Sequence, residues 1–583
     1  MNRKRRFSCL ILAVLLVFPI MGVAPAVIAQ ADPVMSFVMA YPSDVGEQNP
    51  IFARSARSTW YDMLIYDTLV SFDENFDMIP WLCESWATST DGLTVTFTIR
   101  EGAVWHDGTP LTPEDIKFTF EHHKNAPADA VYWSMLQHTT SITVSGQDVI
   151  VVFDQVYSFA VQNLGMIYQL PKHIREGVPA DDPSWDDAAN ATAHIGSGPF
   201  KFVSRTPDEF IQMERNDEWW GPDNPNVGQL PNIEDLRIDI VLGQDARILA
   251  MRQGTADTER YEVFGAYVST ILNAPELQLV TGVPSQWDYV VGFNTTVAPF
   301  DDQDVRDAIA LGIDRDELVN IGRLGFGTPT NSSIPYEFFP ALYDSDGAFP
   351  AQDVDAANAL LDAAGYTAMT GPFRDGLEFD LWVLSWDDIS VATGTGLKVQ
   401  LAEIGIDATV VVTDDDPMYI GIYQEPRAFI AYTMSHGYSP VPDHVWWRAH
   451  SDNIVDWGDN CYGINESTVD ANLDAFMAAT PATIAAAARQ VQLDILEFKP
   501  YIPLYLSDDT HAMRAEWVNF TKPPGGPFTN FNPQTMVFMY DSGFGGVTTP
   551  PPAGGTDLVL VLGIGAGALL VGVVVTYFAL RKR

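Results

Sequence analysis

The chain has 583 residues, of which 47% are hydrophobic and 12% aromatic. It is too long for a single core and too apolar for disorder, so two to four packed domains are expected. With 32 Lys and Arg against 76 Asp and Glu, the formal net charge is −44. Such a surface argues against nucleic acid and anionic lipid as partners.

Both termini carry sorting signals. Arg3-Lys4-Arg5-Arg6, the apolar run Leu10–Ile20 and Ala29-Gln30-Ala31 predict a secretory signal peptide over 1–31. At the far end Leu558–Leu580 is uncharged and long enough to cross a bilayer. Arg581-Lys582-Arg583 follows and places that end in the cytoplasm. A Pro/Gly/Thr linker over 546–557 separates this transmembrane helix from the body. The body is therefore expected outside the cell, anchored to the outer face of the membrane by its C-terminus. In that setting Cys83 and Cys461 either pair or stay as two buried thiols.

In chain order, Val34–Ala40 reads as a strand and Arg57–Tyr66 as a helix. Thr94–Arg100 is rich in β-branched residues, as a strand surface wants. Asp107-Gly108 turns the chain, and Thr112, Pro113 and Asp115 then form the start of a helix: cap, first position and capping-box partner. Ser141–Phe153 reads as two strands, Asn232–Leu242 as a strand, and Asp245–Gln253 as a helix stopped by Gly254. Gln286–Asn294 is a strand, Asp302–Leu324 a helical region, and Ala356–Ala364 a helix stopped by Gly365. Strand Phe379–Ser385, helix Thr395–Glu403 and strand Ala408–Thr413 give a strand–helix–strand order that implies α/β layers. Thr468–Phe498 is helical and Ile502–Leu506 is the last strand. Asp414-Asp415-Asp416 reads as a turn before Pro417, and His122-His123 as surface or capping histidines, since neighbours on a helix point about 100° apart.

No catalytic constellation is present: there is no H-E-x-x-H, G-x-S-x-G or C-x-x-C, and no cofactor or metal site is marked. No G-x-x-x-x-G-K-[ST] marks an ATPase either. Four ordered blocks carry a different message. Trp105–Glu121 (WHDGTPLTPEDIKFTFE) comes first. Gly196-Ser197-Gly198-Pro199-Phe200 with Arg215-Asn216 and Trp219-Trp220 follows. Phe293-Asn294, Pro299-Phe300, Asp304-Val305-Arg306 and Ile313-Asp314-Arg315 form the third, and Leu360–Tyr366 (LLDAAGY) the fourth. Together they resemble the peptide/nickel-binding family (family 5) of ABC-transporter substrate-binding proteins, and the two terminal signals resemble its archaeal members.

The resemblance implies an α/β fold, periplasmic-binding-protein-like (class II, cluster C), with two jaws and an extra inserted domain. It divides the body into lobe I (32–74, 190–288 and 500–545), lobe II (75–189) and lobe III (289–499), with ligand between lobes I and III. It implies no reaction: the chain binds oligopeptides or dipeptides and delivers them to permease subunits served by cytoplasmic ATPases. Aromatics in the two jaws are the candidates for lining the cleft, because flat apolar faces suit peptide side chains and also stack on sugar rings. They are Trp60, Trp287, Trp386, Tyr432, His436 and Tyr438. Peptide binders of the family carry an Asp for the peptide's amino terminus where Ser435–Pro442 here places Tyr438. An oligosaccharide receptor of the same family is therefore the alternative, followed by a nickel or metal-chelate receptor and a cell-surface hydrolase.

Overall fold

Three sheets of four or more strands carry the chain in the computed structural model. The structure describes residues 35–541, apart from 42–43, 46–47, 54–55, 74–76, 128–129, 187–190, 260–262, 264, 281–283, 438–440, 509 and 519–538. The expected signal peptide, linker and transmembrane helix, and Tyr438, lie outside the described residues. Among the described residues no helix is long and apolar enough to cross a membrane.

The seven-stranded sheet runs in the order Leu277–Val280, His511–Arg514, Thr258–Glu259, Ser36–Tyr41, Asp235–Ile240, Phe210–Arg215, Phe200–Thr206. Its central strand Ser36–Tyr41 pairs in parallel with Asp235–Ile240 on one side and Thr258–Glu259 on the other. Phe37 and Met39 face a core shared with Trp60, Tyr61 and Leu64 of the helix Ala56–Ile65.

Along the chain between Ser36–Tyr41 and Phe200–Thr206, residues 83–153 build an antiparallel sheet of Cys83–Thr88, Thr94–Ile99, Asp148–Phe153 and Thr139–Ser145, in that spatial order. Thr94–Ile99 and Asp148–Phe153 alternate buried and half-buried positions, as half-covered strands do. Helix Pro113–Lys124 covers the sheet through Ile116 and Phe120. It starts as the sequence predicts: the Asp115 carboxylate accepts the Thr112 N–H at 2.8 Å. Its last turn departs from expectation, because His123 is fully buried against Tyr132 rather than exposed. Burial removes water from the imidazole and lowers its pKa to about 3.

The six-stranded sheet has the order Gly327–Pro329, Tyr501–Asp508, Pro284–Phe293, Ala431–Gly437, Glu378–Leu384, Asp407–Thr413. It holds the largest core, with helices Gln303–Gly312, Arg315–Arg323, Asp388–Glu403 and Ile484–Phe498 packed around it. Several boundaries differ from the sequence reading, each for a local reason. The 302–324 region breaks at Ile313-Asp314, where Asp314 caps a second helix by accepting the Glu317 N–H at 2.9 Å. The helix expected from Thr395 starts at Asp388, because Asp387 caps it by accepting the Ile389 N–H at 3.1 Å. The 468–498 region splits into Ser467–Met477 and Ile484–Phe498, with Pro481 between them. The acidic run expected as a turn instead opens the helix Asp415–Tyr423. Tyr501–Asp508, expected to belong with lobe I, pairs with Pro284–Phe293 in the six-stranded sheet. Cys83 and Cys461 are free and buried in separate cores.

Candidate ligand-binding cleft

Two short crossings join the large sheets, one from Val280 to Pro284 and one from Asp508 to His511. In the seven-stranded sheet the strands Ser36–Tyr41, Asp235–Ile240, Thr258–Glu259 and Leu277–Val280 all point the same way, so the first crossing leaves from their carboxyl edge. In the six-stranded sheet Glu378–Leu384, Asp407–Thr413, Ala431–Gly437 and Tyr501–Asp508 also share one direction. Their carboxyl edge is where Pro284 enters and Asp508 leaves. The crossings therefore bring two carboxyl edges together, and that is where open α/β sheets bind ligands.

Three candidate aromatics sit on or near the edge of the six-stranded sheet. Trp287 is 44% exposed and pairs with Gly437, against which its ring lies. Trp386 is 46% exposed and follows the carboxyl end of Glu378–Leu384. Together with Ser385, Asp414, Asp416 and Pro417 it lines an open depression of about 450 Å³. There the Ser385 hydroxyl donates to the Asp414 carboxylate at 2.6 Å, so the rim is acidic and one wall is an indole. His436 is half-buried one position before Gly437, with Nε2 3.3 Å from the Tyr432 hydroxyl and 3.4 Å from that of Tyr423. Its Nδ1 has no partner among the described residues. Burial first, then the neighbouring Arg448 and His444, holds its pKa well below the ordinary value, so the ring is neutral.

Two other candidates lie inside cores and not on the exposed edge. Trp60 is fully buried in the core of the seven-stranded layer beside Tyr41. Tyr432 is fully buried too, donating to the Tyr462 hydroxyl at 2.9 Å and stacking on that ring. An inward-facing strand or helix position, not residue type, decides this.

The sequence reading missed the ion pair beneath the edge. Asp288, next to Trp287, takes a two-pronged hydrogen bond from Arg448 at 3.1 and 3.2 Å, and both side chains are buried. Neighbouring side chains alternate across a strand, so an exposed Trp287 implies an inward Asp288. An inward carboxylate must find a cation or take up a proton, and here it finds Arg448.

The family-like blocks hold the fold rather than the ligand. His106 and Asn216 both bond the Gly198 carbonyl. A Cβ on Gly196 would lie 1.9 Å from the Ile65 carbonyl oxygen, so only glycine lets these backbones meet. Asp67 is buried and accepts from the indole N–H groups of Trp81 and Trp220 at 3.0 and 2.7 Å. Arg306 donates to the Phe498 carbonyl at 2.9 Å, and Arg315 to the carbonyls of Pro503 and Pro350, both at 2.9 Å. Among the described residues no group of three or more His, Cys, Asp or Glu side chains is placed to hold a metal ion.

Two α/β layers joined by paired crossings, with exposed indole faces along one carboxyl edge, have the architecture of a solute-binding protein. The chain belongs to the bacterial extracellular solute-binding proteins, family 5, whose middle-region model matches residues 77–454. Members of this family are transport receptors and not enzymes. The oligopeptide-binding protein AppA of Bacillus subtilis is 24% identical over 475 residues, covering 80% of this chain and 85% of that protein. Its structure in complex with a nonapeptide covers 88% of this chain and 100% of its own, at 21% identity and a TM-score of 0.68. NikZ from Campylobacter jejuni in complex with Ni(L-His) covers 87% of this chain and 99% of its own, at 20% identity and a TM-score of 0.72. These likenesses carry the fold.

Proposed function

We propose that the chain is the extracytoplasmic receptor of an ABC importer and that it takes an oligopeptide into the cleft between the two large sheets. The observation that carries this is the strand Ala431–Gly437. Its parallel neighbour Glu378–Leu384 is in register with it only at Ala431 and Tyr432. From Thr433 to Gly437 its one strand partner among the described residues is Pro284–Phe293. The Thr433 carbonyl on that side accepts from the Ser390 hydroxyl at 2.6 Å, so an extended ligand can add at the less buried end Ser435–Gly437, taking main-chain hydrogen bonds while Trp287 and Trp386 take its side chains. Permease subunits with cytoplasmic ATPases receive the solute, and the apolar 558–580 segment tethers the receptor to the outer face of the membrane after removal of 1–31. Support for the tether is the sequence pattern of the archaeal members. The relatives described above are bacterial.

A second reading, an oligosaccharide receptor, is favoured by two exposed indole faces and by Tyr438 where a carboxylate for an amino terminus is expected. Native mass spectrometry of the purified protein separates the two. A ladder of peptide masses is the expected result, and masses spaced by hexose units would replace the peptide by a sugar. The cognate class should also raise the unfolding free energy by about 2.7 kcal/mol at a hundredfold excess over Kd.

A further inference from the structure

The segment Tyr157–Phe159 belongs by sequence to the inserted four-stranded sheet, yet its side chains reach the jaw built on the six-stranded sheet. Phe159 is buried in the core of the six-stranded layer, while Ala160, Val161 and Leu164, in the helix that begins immediately after it, are buried in the core of the four-stranded layer. Tyr157 packs against both cores. The base of this segment is rigid: Leu69 donates its N–H to the Gly165 carbonyl at 2.8 Å, and a Cβ on Gly165 would lie 2.6 Å from Val70. The far contact falls on the carboxyl end of the helix Ser467–Met477, whose last carbonyls have no partner within the helix. Ser158 donates its N–H to the Met477 carbonyl at 2.9 Å. Its hydroxyl lies 2.8, 2.9 and 2.8 Å from the carbonyl oxygens of Phe476, Met477 and Ala479. Phe159 meets the Phe476 ring edge-on, with centroids 5.4 Å apart.

We propose that Tyr157–Phe159 is a latch that holds the two jaws closed without any ligand. The crossings between the sheets are continuous chain and survive opening, and Phe326 packs beside them against a core of the seven-stranded layer; the contact of Tyr157–Phe159 is non-covalent and must break for the jaws to part. Breaking it exposes Phe159 to water and frees several helix-end carbonyls. The hydrophobic part alone shifts a closed-to-open ratio by roughly tenfold to a hundredfold. Solute entry then requires unlatching, so the latch sets how much of the empty receptor is closed and how fast it loads.

The test needs no knowledge of the solute, so its outcome is independent of the peptide reading. Spin labels at Leu242→Cys and Val399→Cys, exposed positions on opposite jaws, report the distance between them in protein stripped of ligand by unfolding and refolding. The native Cys83 and Cys461 are buried and stay unlabelled. The parent is expected to populate a short distance that Phe159→Ala depletes at least tenfold, with Ser158→Ala intermediate. Identical distributions in the parent and a folded Phe159→Ala protein overturn the latch. Should Phe159→Ala fail to fold, the milder Phe159→Leu combined with Ser158→Ala decides: depletion of the short distance in the stripped protein supports the latch, and a distribution identical to the parent's overturns it.

Discussion

The Nε2 of His106 lies 3.0 Å from the carbonyl oxygen of Gly198, ninety-two positions along the chain, while its Nδ1 accepts the Gly196 N–H at 3.2 Å. One ring thus bonds the two most family-like blocks of the sequence to each other. An Nδ1 that accepts and an Nε2 that donates is the neutral tautomer. Burial lowers the pKa of this imidazole to about 4.

The pH dependence follows from that shift. Below pH 6.5 the unfolded chain binds a proton that the folded ring refuses, so this residue's contribution is present above 6.5 and is lost as pH falls toward 4. Replacing His106 by Ala is expected to cost about 1–3 kcal/mol at neutral pH and to shallow the acid limb of the stability curve. Urea unfolding at a series of pH values checks both. An unchanged midpoint at pH 7.5 would show that the clamp carries no stability.

Asp67 acts with the opposite sign. It is buried, and loss of water raises its carboxyl to about 7 against the two indole donors that favour the charged form. The fold holds a proton that the unfolded chain releases near 3.8, so this contribution is complete below about 4 and is lost as pH rises through 7. The slope in that window is about 1.4 kcal/mol per pH unit at most. Asp67→Asn keeps the shape and removes the titration, so its stability should rise more steeply from pH 4 to 7 than that of the parent. Parallel slopes would mean that the carboxyl is ionised in the fold after all.

The buried pair Asp288–Arg448 makes a third prediction. Asp288→Ala leaves a guanidinium buried without its bidentate partner, at an expected cost of about 3–5 kcal/mol. The double change Asp288→Leu with Arg448→Met removes both charges and should recover most of that loss. Because Asp288 shares its strand with Trp287, the single variant is also expected to weaken solute binding, and the double variant less so. Equal stabilities for single and double variants would show that the charges are not coupled.

Local signals were legible where short-range chemistry decides the structure. Thr112, Pro113 and Asp115 start a helix because cap, ring and carboxylate lie within four residues of one another. The strands at Thr94–Ile99 and Glu378–Leu384 follow from their side-chain pattern. Pairing across the chain was not legible in the same way. Nothing local in Tyr501–Asp508 says that it joins Pro284–Phe293 and not the sheet of the residues that follow it, because its partner lies more than two hundred positions back along the chain. The Asp414 run carries turn-forming residues, but once the preceding strand has ended, the chain from Asp415 onward gains more as a helix packing Met418 and Ile422 into the core. His123 was misread because its identity suggests a surface and its position on the helix faces Tyr132.

Trp60 and Trp287 show the same limit and supply the last prediction. Both are tryptophans of the two jaws, and from sequence they are equivalent candidates. In the fold Trp60 lies wholly inside a core, whereas Trp287 leaves 44% of its surface outside at the cleft edge. Trp60→Ala should therefore cost about 3–5 kcal/mol in stability and leave the affinity of the remaining folded protein almost unchanged. Trp287→Ala should cost under 1.5 kcal/mol in stability and about tenfold or more in affinity, as loss of an aromatic anchor does. Calorimetric titration with the solute identified by mass spectrometry, set beside urea unfolding, reads the two effects separately. If Trp287→Ala binds as tightly as the parent, the solute lies elsewhere along the carboxyl edge. The acidic depression lined by Trp386 then becomes the place to look, since it lies at the carboxyl end of the next strand but one.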